Sequence, residues 1–285
     1  MARTAVMKVW DVELGLAVHI EAPNGKYIVI DLGSKDGVSP TRSLWNKDIG
    51  YMVITHPHHD HFSDINNASM FARPDVLWRV KAYSRDELMV GVREYEMANF
   101  RKYCDFCESY YGTLTPDDDP TTASPFDGLT AQVFSTNYCD KSNKNNFSAI
   151  VVLKLGNAKI VVCGDNEKES FELLMDRDSF KTAVKDAYAL VAPHHGRESG
   201  YYEEFVSLVN PYLTIISDTA RGATSVTERY DAKTKGYSVY NCATRYSEQR
   251  KCLTTRKDGN IKVEFGETDD SRYSGILSAS THCVF

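Results

Sequence analysis

Six of the eight histidines in this 285-residue chain stand in two groups, His56, His58, His59, His61 and His194, His195; only His19 and His282 fall outside them. Each group follows an apolar run that reads as a buried strand, DIGYMVIT before THPHHDHFSD and AYALVAP before HHGRESG. A turn at a strand end can aim alternate side chains at a common point. His56, His58, Asp60 and His61 place four donors within six residues, mixing imidazole with a hard carboxylate. Such a set suits Zn²⁺, Mn²⁺ or Fe and is costly to retain for packing alone.

The rest of the chain supplies strands to either side. AVMKVW, LAVHIEA and YIVID form a meander, with Asn24-Gly25 as a hairpin signal between the second and third. The stretch after Asp64 opens a short helix. Residues 86–111 put Met89, Val92, Phe100, Tyr103 and Cys107 on one face and are expected to form a single amphipathic helix. Residues 113–128 are a Pro/Asp/Thr-rich loop. A second meander follows in LTAQVFS, FSAIVVLKL and AKIVVCGD, then a helix near Glu169 to Met175. AYALVAP, YYEEFVSLV and PYLTIIS alternate strand, helix, strand. YSVYN, KCLTTR and NIKVEF close the chain, the last two expected to pair across Lys257-Asp258-Gly259. Two β-rich halves, each ending in a His or Asp cluster, suggest two sheets facing one another.

With those residues in view, the chain resembles the metallo-β-lactamase superfamily, whose signature is H-x-H-x-D-H. Asp31 in IDLG, Asp165 in CGD and His194-His195-Gly196 in APHHG stand in the order of its other motifs. More closely it resembles the soluble hydrolase domain of the competence protein ComEC and its stand-alone relatives, through NNFSAIVV, GDNE, APHHG and KDGNIKVEF. The resemblance spans most of the chain except about residues 71–128. It implies an α/β fold, the four-layer αβ/βα sandwich, as one domain over 1–285 with an insertion at 71–128.

It also implies a site with two divalent metal ions, Zn or Mn. His56 and His58 would form one half, Asp60 and His61 the other, and Asp165 would bridge them. Either His194 or His195 would complete the second half, its neighbour facing the substrate, so Asp60, Asp165, His194 and His195 are the expected catalytic residues. Asp31 would orient a ligand imidazole by accepting its distal N–H. Asn145, Asn146 and Ser148 occupy the place of a third histidine found in other members, which makes the centre harder and favours Mn²⁺ at least as much as Zn²⁺. Two such ions about 4 Å apart can hold a hydroxide between them and stabilise a leaving oxygen, chemistry that fits phosphodiester hydrolysis. A phosphodiesterase or nuclease is the first expectation. A small-ester, lactone or lactam hydrolase, or a metal-binding subunit of a larger complex, is the alternative.

Charge bears on the substrate. The net charge of −6 argues against a protein that coats nucleic acid through its overall field. Yet the stretch from Arg221 to Lys262 carries ten basic and four acidic residues. It is either a guide for a nucleic acid or nucleotide substrate or an ordinary solvated face. Seven scattered cysteines argue against a disulfide scaffold, and Cys104-x-x-Cys107 reads as two partly buried thiols on the expected helix. No run approaches the roughly 18 apolar residues of a spanning helix and no signal peptide is visible, so a cytoplasmic protein without a membrane partner is expected. The 71–128 insertion is expected to cover the site, a protein partner or a second copy.

Overall fold

The computed structural model describes residues 3–219, 224–268 and 273–285. β1 (Arg3–Val9) turns Ala5, Met7 and Val9 inward with half-buried residues between them, the period of two of a strand. β2 (Val18–Glu21) and β3 (Tyr27–Ile30) form the hairpin expected at Asn24-Gly25, where Gly25 takes φ 82° and Asn24 Oδ1 accepts from the Lys26 amide. β4 (Ile49–Ile54), buried throughout, runs parallel to β3. α1 (Ile65–Phe71) follows the first histidine group, and β5 (Val76–Arg79) pairs parallel to β4.

The helix expected over residues 86–111 is two helices. α2 (Arg85–Met89) begins at a Ser84/Glu87 capping box and stops before Gly91, whose φ of 73° no helix interior allows. A 3₁₀ turn at Glu94–Glu96 then leads into α3 (Met97–Glu108). The apolar face itself is as read: Phe100, Tyr103 and Cys107 are buried, and Met89 and Val92 pack against the same cluster.

β6 (Leu129–Phe134), β7 (Ile150–Leu155) and β8 (Ala158–Cys163) form the second meander. α4 (Lys168–Met175) and α5 (Asp178–Val184) lead to β9 (Ala189–Val191), and α6 (Glu203–Val209) to β10 (Leu213–Ile216). After α7 (Thr227–Lys233) come β11 (Tyr237–Asn241), β12 (Tyr246–Arg250), β13 (Cys252–Thr254), α8 (Thr255–Asp258), β14 (Ile261–Glu267) and β15 (Ser274–Thr281).

The strands make a nine-stranded sheet in the order β12-β11-β15-β14-β1-β2-β3-β4-β5 and a six-stranded sheet in the order β13-β10-β9-β8-β7-β6. The pairing expected between KCLTTR and NIKVEF is therefore absent. β13 lies beside β10 in the smaller sheet and β14 beside β1 in the larger, so Asp258-Gly259 carries the chain from one sheet to the other. Asp258 fixes that crossing by accepting from Arg250 and from the Thr254 amide, which a two-residue hairpin would not require.

One apolar cluster fills the space between the sheets, with Met7, Ile28, Ile30 and Val53 from one side and Val151, Leu153, Val162 and Ile215 from the other. The outer face of the larger sheet buries Val29, Met52 and Ile54 against α1, α2 and α3. The outer face of the smaller sheet buries Val161 and Leu190 against α4, α5, α6 and α7. Helix, sheet, sheet, helix is the four-layer αβ/βα arrangement. Because β3 and β4 are parallel, and β8, β9 and β10 are parallel, five strands end along one edge of the sandwich. β7 runs antiparallel to β8 and so starts at that edge. Among the described residues no helix is long and apolar enough to cross a membrane.

Candidate metal centre

Each strand end at this edge delivers one polar group. Asp31 follows β3, Thr55 to His61 follow β4, Asp165 follows β8, His194 and His195 follow β9, and Ser217 follows β10. The Ala149 amide bonds to the Thr55 carbonyl at 2.9 Å, which ties the two sheets together beside the site.

Two groups of donors converge. His56, His61 and Asp165 form one, Asp60, His61 and His195 the other, with the donor atoms of each within 4.8 Å of one another. His61 Nε2 lies 3.3 Å from Asp165 Oδ1 and 3.4 Å from His195 Nε2, and His195 Nε2 lies 3.4 Å from Asp165 Oδ2 and 3.6 Å from Asp60 Oδ2. His56 Nε2 is 3.7 Å from Asp165 Oδ2 and 2.9 Å from His58 Nδ1. His58, half-buried, thus reaches the cluster through His56.

The far nitrogens are tied back. His61 Nδ1 donates to Asp31 at 2.7 Å, and Asp31 also accepts from the Thr55 amide and hydroxyl at 2.6 and 2.7 Å. His195 Nδ1 donates to the Ser217 carbonyl at 2.9 Å. Both bonds occupy Nδ1 and turn Nε2 toward the carboxylates, so loss of the Nε2 proton gives the tautomer a metal ligand needs. His194 turns the other way. Its Nδ1 sits 3.0 Å from Glu167 Oε1 and 2.8 Å from Ser199 Oγ, while its Nε2 is 3.9 Å from Asp165 Oδ2 and 3.4 Å from Arg197 Nη1. Of the two histidines left open by the sequence, His195 has the inward geometry.

This turn is held against backbone preference. His194, His195 and Gly196 take φ of 47°, 54° and 68°, and a Cβ at Gly196 would stand 2.8 Å from Ile216. Left-handed non-glycine residues cost about 1 kcal/mol or more each and persist where the surroundings fix them. Asp31 is also left-handed, at φ 59°.

Sequence reasoning missed Glu167, although its GDNE motif was in view. Asn143 Nδ2 and Asn145 Nδ2 donate to Glu167 at 2.8 and 3.1 Å, and the Glu167 amide donates to Asn146 Oδ1. Asn146 Nδ2 binds Glu169, and Ser148 Oγ accepts from the Asp165 amide. Asn145, Asn146 and Ser148 therefore brace the loop Asp165–Glu169. His59, in the first histidine group, points out of the cluster to Asn99 Nδ2 at 3.0 Å and anchors α3 there.

Buried charge shows what the cluster would accept. Burial alone would raise the Asp165 carboxyl, but the imidazoles of His61, His195 and His56 outweigh it and hold the group well below the usual carboxylate range. Burial likewise opposes charge on His195, yet Asp165 and Asp60 raise it to about 9. Protons on imidazole thus balance buried carboxylates, and a divalent cation can replace them. Asn166, fully buried beside Asp165, has neither amide atom partnered, and Asn145 Oδ1 is also unpartnered. The donor set fits divalent ions.

A cleft of about 600 Å³ is lined by His58 and Asp60 of the site. His59 also lines it, together with Val90, Val92, Tyr95 and Glu96 from the 71–128 region and with Lys144. The basic stretch is less free than its composition implies. Arg229 pairs with Glu198, Lys233 with Glu203, Arg250 with Asp258, Arg256 with Asp218 and Lys262 with Glu264. Arg221 lies outside the described residues.

No curated protein matches the chain. The metallo-beta-lactamase fold protein YhfI from Bacillus subtilis superposes with a TM-score of 0.50 at 14% identity, covering 93% of this chain and 100% of its own. Zn²⁺-bound PqqB from Methylobacterium extorquens gives 0.38 at 8% identity, covering 75% and 89%. The family model of the metallo-beta-lactamase superfamily matches residues 10–216, a span that holds both histidine groups, Asp31 and Asp165. With its sandwich and its cluster at the shared strand edge, the chain belongs to the metallo-beta-lactamase superfamily, whose members are metal-dependent hydrolases.

Proposed function

We propose that the protein is a phosphodiesterase that works with two divalent ions, of the ComEC-like kind suggested by NNFSAIVV, GDNE and APHHG. His61 has one inward lone pair and serves one ion only. The assignment that uses every donor once is His56 and His58 for the first ion, Asp60, His61 and His195 for the second, and Asp165 between them. Bound there, the ions supply Lewis acidity and lower the pKa of water.

The chain's own residues do the rest. Asp31 and the Ser217 carbonyl hold His61 and His195 in one tautomer and orientation. Lys144, at the cleft wall close to His58, offers its ammonium to a non-bridging phosphoryl oxygen. Glu167 keeps the His194 Nδ1 proton in place, so that Nε2, beside Arg197, faces the reacting group.

The observation that carries the phosphodiester reading is this cation in the same cleft as His58 and Asp60. The volume suits a short nucleotide unit, within the usual 300–1,000 Å³ of small-molecule sites. A long nucleic acid would depend on the basic stretch, where Arg245, Lys251 and Lys257 are exposed. A second reading, hydrolysis of a small ester, lactone or lactam, is favoured by the apolar wall of Leu14, Val90, Val92 and Phe100.

The test is a substrate panel with the metal-loaded protein: bis(p-nitrophenyl) phosphate, a cyclic dinucleotide, single-stranded DNA, RNA, a lactone and a lactam. Turnover of phosphodiesters, lost on Lys144→Ala with a raised KM, is the expected result. Turnover confined to the lactone or lactam would replace this reading with the second.

A further inference from the structure

We propose that Cys242 and Cys283 form a reversible intramolecular disulfide, with a low-molecular-weight disulfide as the oxidant. The two thiols are 41 positions apart and their Sγ atoms lie 3.5 Å from each other. Topology puts them there. β11 and β15 are parallel neighbours with Asn241 opposite Thr281; Cys242 follows Asn241 directly, and Cys283 lies two positions after Thr281. Backbone bonds hold both: the Cys242 amide donates to the Thr281 carbonyl at 3.0 Å and the Cys283 amide to the Asn260 carbonyl at 3.2 Å. A disulfide needs the sulfurs at about 2.05 Å, so the two side chains must close the remaining gap.

Accessibility selects this pair. Cys242 is exposed and Cys283 half-exposed, whereas Cys104, Cys107, Cys139, Cys163 and Cys252 are buried. Burial also pushes the Cys107 thiol up to about 12 and the Cys139 thiol up to about 11; it raises Cys283 too, so the exposed Cys242 is the thiol that attacks first. The Cys242 thiolate attacks one sulfur of the oxidant, a mixed disulfide forms and one thiol leaves. The Cys283 thiolate then attacks Cys242 Sγ, the internal bond forms, and the second thiol leaves. Two protein thiols are oxidised and one small disulfide is reduced to two thiols, with the protons passing to them.

The bond would act on a segment that packs toward the metal centre. Asn260 Nδ2 donates to the Cys283 carbonyl and Asn260 Oδ1 accepts from the Asp11 amide, while Phe285 lies edge-on to Trp10 at 5.0 Å. Trp10 and Asp11 begin the loop whose Leu14 lines the cleft and whose Gly15 carbonyl accepts from Ser217 Oγ. Linking Cys242 to Cys283 fixes the outer end of this chain of contacts.

The experiment treats the whole protein with oxidised glutathione, blocks remaining thiols with N-ethylmaleimide under denaturing conditions, and maps tryptic peptides by mass. The expected product joins the peptide of residues 236–245 to the one beginning at Tyr273, two hydrogens lighter than their sum, and dithiothreitol separates them. Cys283→Ser should instead trap glutathione on Cys242. Maleimide on both cysteines after oxidation, glutathione retained on Cys242 of the unsubstituted protein, or a disulfide between two chains would each overturn the proposal. None of these readouts depends on what the metal centre hydrolyses.

Discussion

Asp31 and His61, thirty positions apart, meet at 2.7 Å with both side chains fully buried. Asp31 sits at the end of β3 and His61 in the turn after β4, so the parallel pairing of those strands builds the contact. Removing the carboxylate leaves the imidazole free to rotate and to protonate on the wrong nitrogen. Asp31→Ala should weaken metal affinity about 10–100-fold while leaving a folded protein, as loss of such a partner does elsewhere. Competition with a chromogenic chelator measures it, and unchanged affinity would remove Asp31 from the centre.

His19 gives a stability prediction independent of the metal. It is fully buried, Trp10 Nε1 donates to its Nδ1 at 3.1 Å, and its Nε2 has no partner. Burial and then Lys8 lower it to about 3. The folded state thus keeps it neutral where the unfolded chain, near 6.5, takes up a proton. Stability is fully present above about pH 6.5 and declines as pH falls toward 3, by on the order of 3–5 kcal/mol in all. His19→Gln should flatten that decline relative to the parent, read from urea midpoints between pH 4 and 8. Parallel pH curves would show that His19 charges without penalty.

The role of the basic stretch can be tested without disturbing ion pairs. Arg250 and Arg256 hold Asp258 and Asp218, so their replacement would damage the crossing between sheets. Arg245, Lys251 and Lys257 are exposed. Changing these three to Glu should lower the rate on a long nucleic acid and reduce its salt slope by about 1–3, with bis(p-nitrophenyl) phosphate turned over normally. An unchanged rate on the long substrate would make the stretch a solvated face.

Metal preference follows from the donors. Asp60 and Asp165 bring hard oxygen donors to the imidazoles, and Asn145 and Asn146 brace a loop rather than add a nitrogen ligand. Mn²⁺ should therefore activate the metal-free protein at least as well as Zn²⁺. Full activity with Zn²⁺ and none with Mn²⁺ in reconstitution would contradict this.

Much of this architecture was legible because its signals are local. Period-two burial marks β1, the Asn24-Gly25 turn marks the first hairpin, and apolar runs ending in His or Asp mark the strands whose ends share an edge. What was not legible depends on distance. Nothing in Lys257-Asp258-Gly259 distinguishes a hairpin from a crossing between sheets, since the choice is made by β10 and β1 as partners. The choice between His194 and His195 rests on three consecutive left-handed residues, which only packing against Ile216 and Ser217 dictates. Glu167 was overlooked because its partners, Asn143 and Asn145, lie more than twenty positions away. Gly91 was a visible breaker within the expected long helix, but the apolar face runs on past it and hid the break.

The central claim, two ions bridged by Asp165, is tested most directly by Asp165→Asn. Metal content after dialysis, circular dichroism and hydrolysis of bis(p-nitrophenyl) phosphate should be measured on the same samples. The account predicts two equivalents of metal in the parent, one or fewer in the variant, an unchanged fold, and activity reduced by about 10²-fold or more. A folded variant that keeps both equivalents and most of its metal-stimulated activity would contradict it.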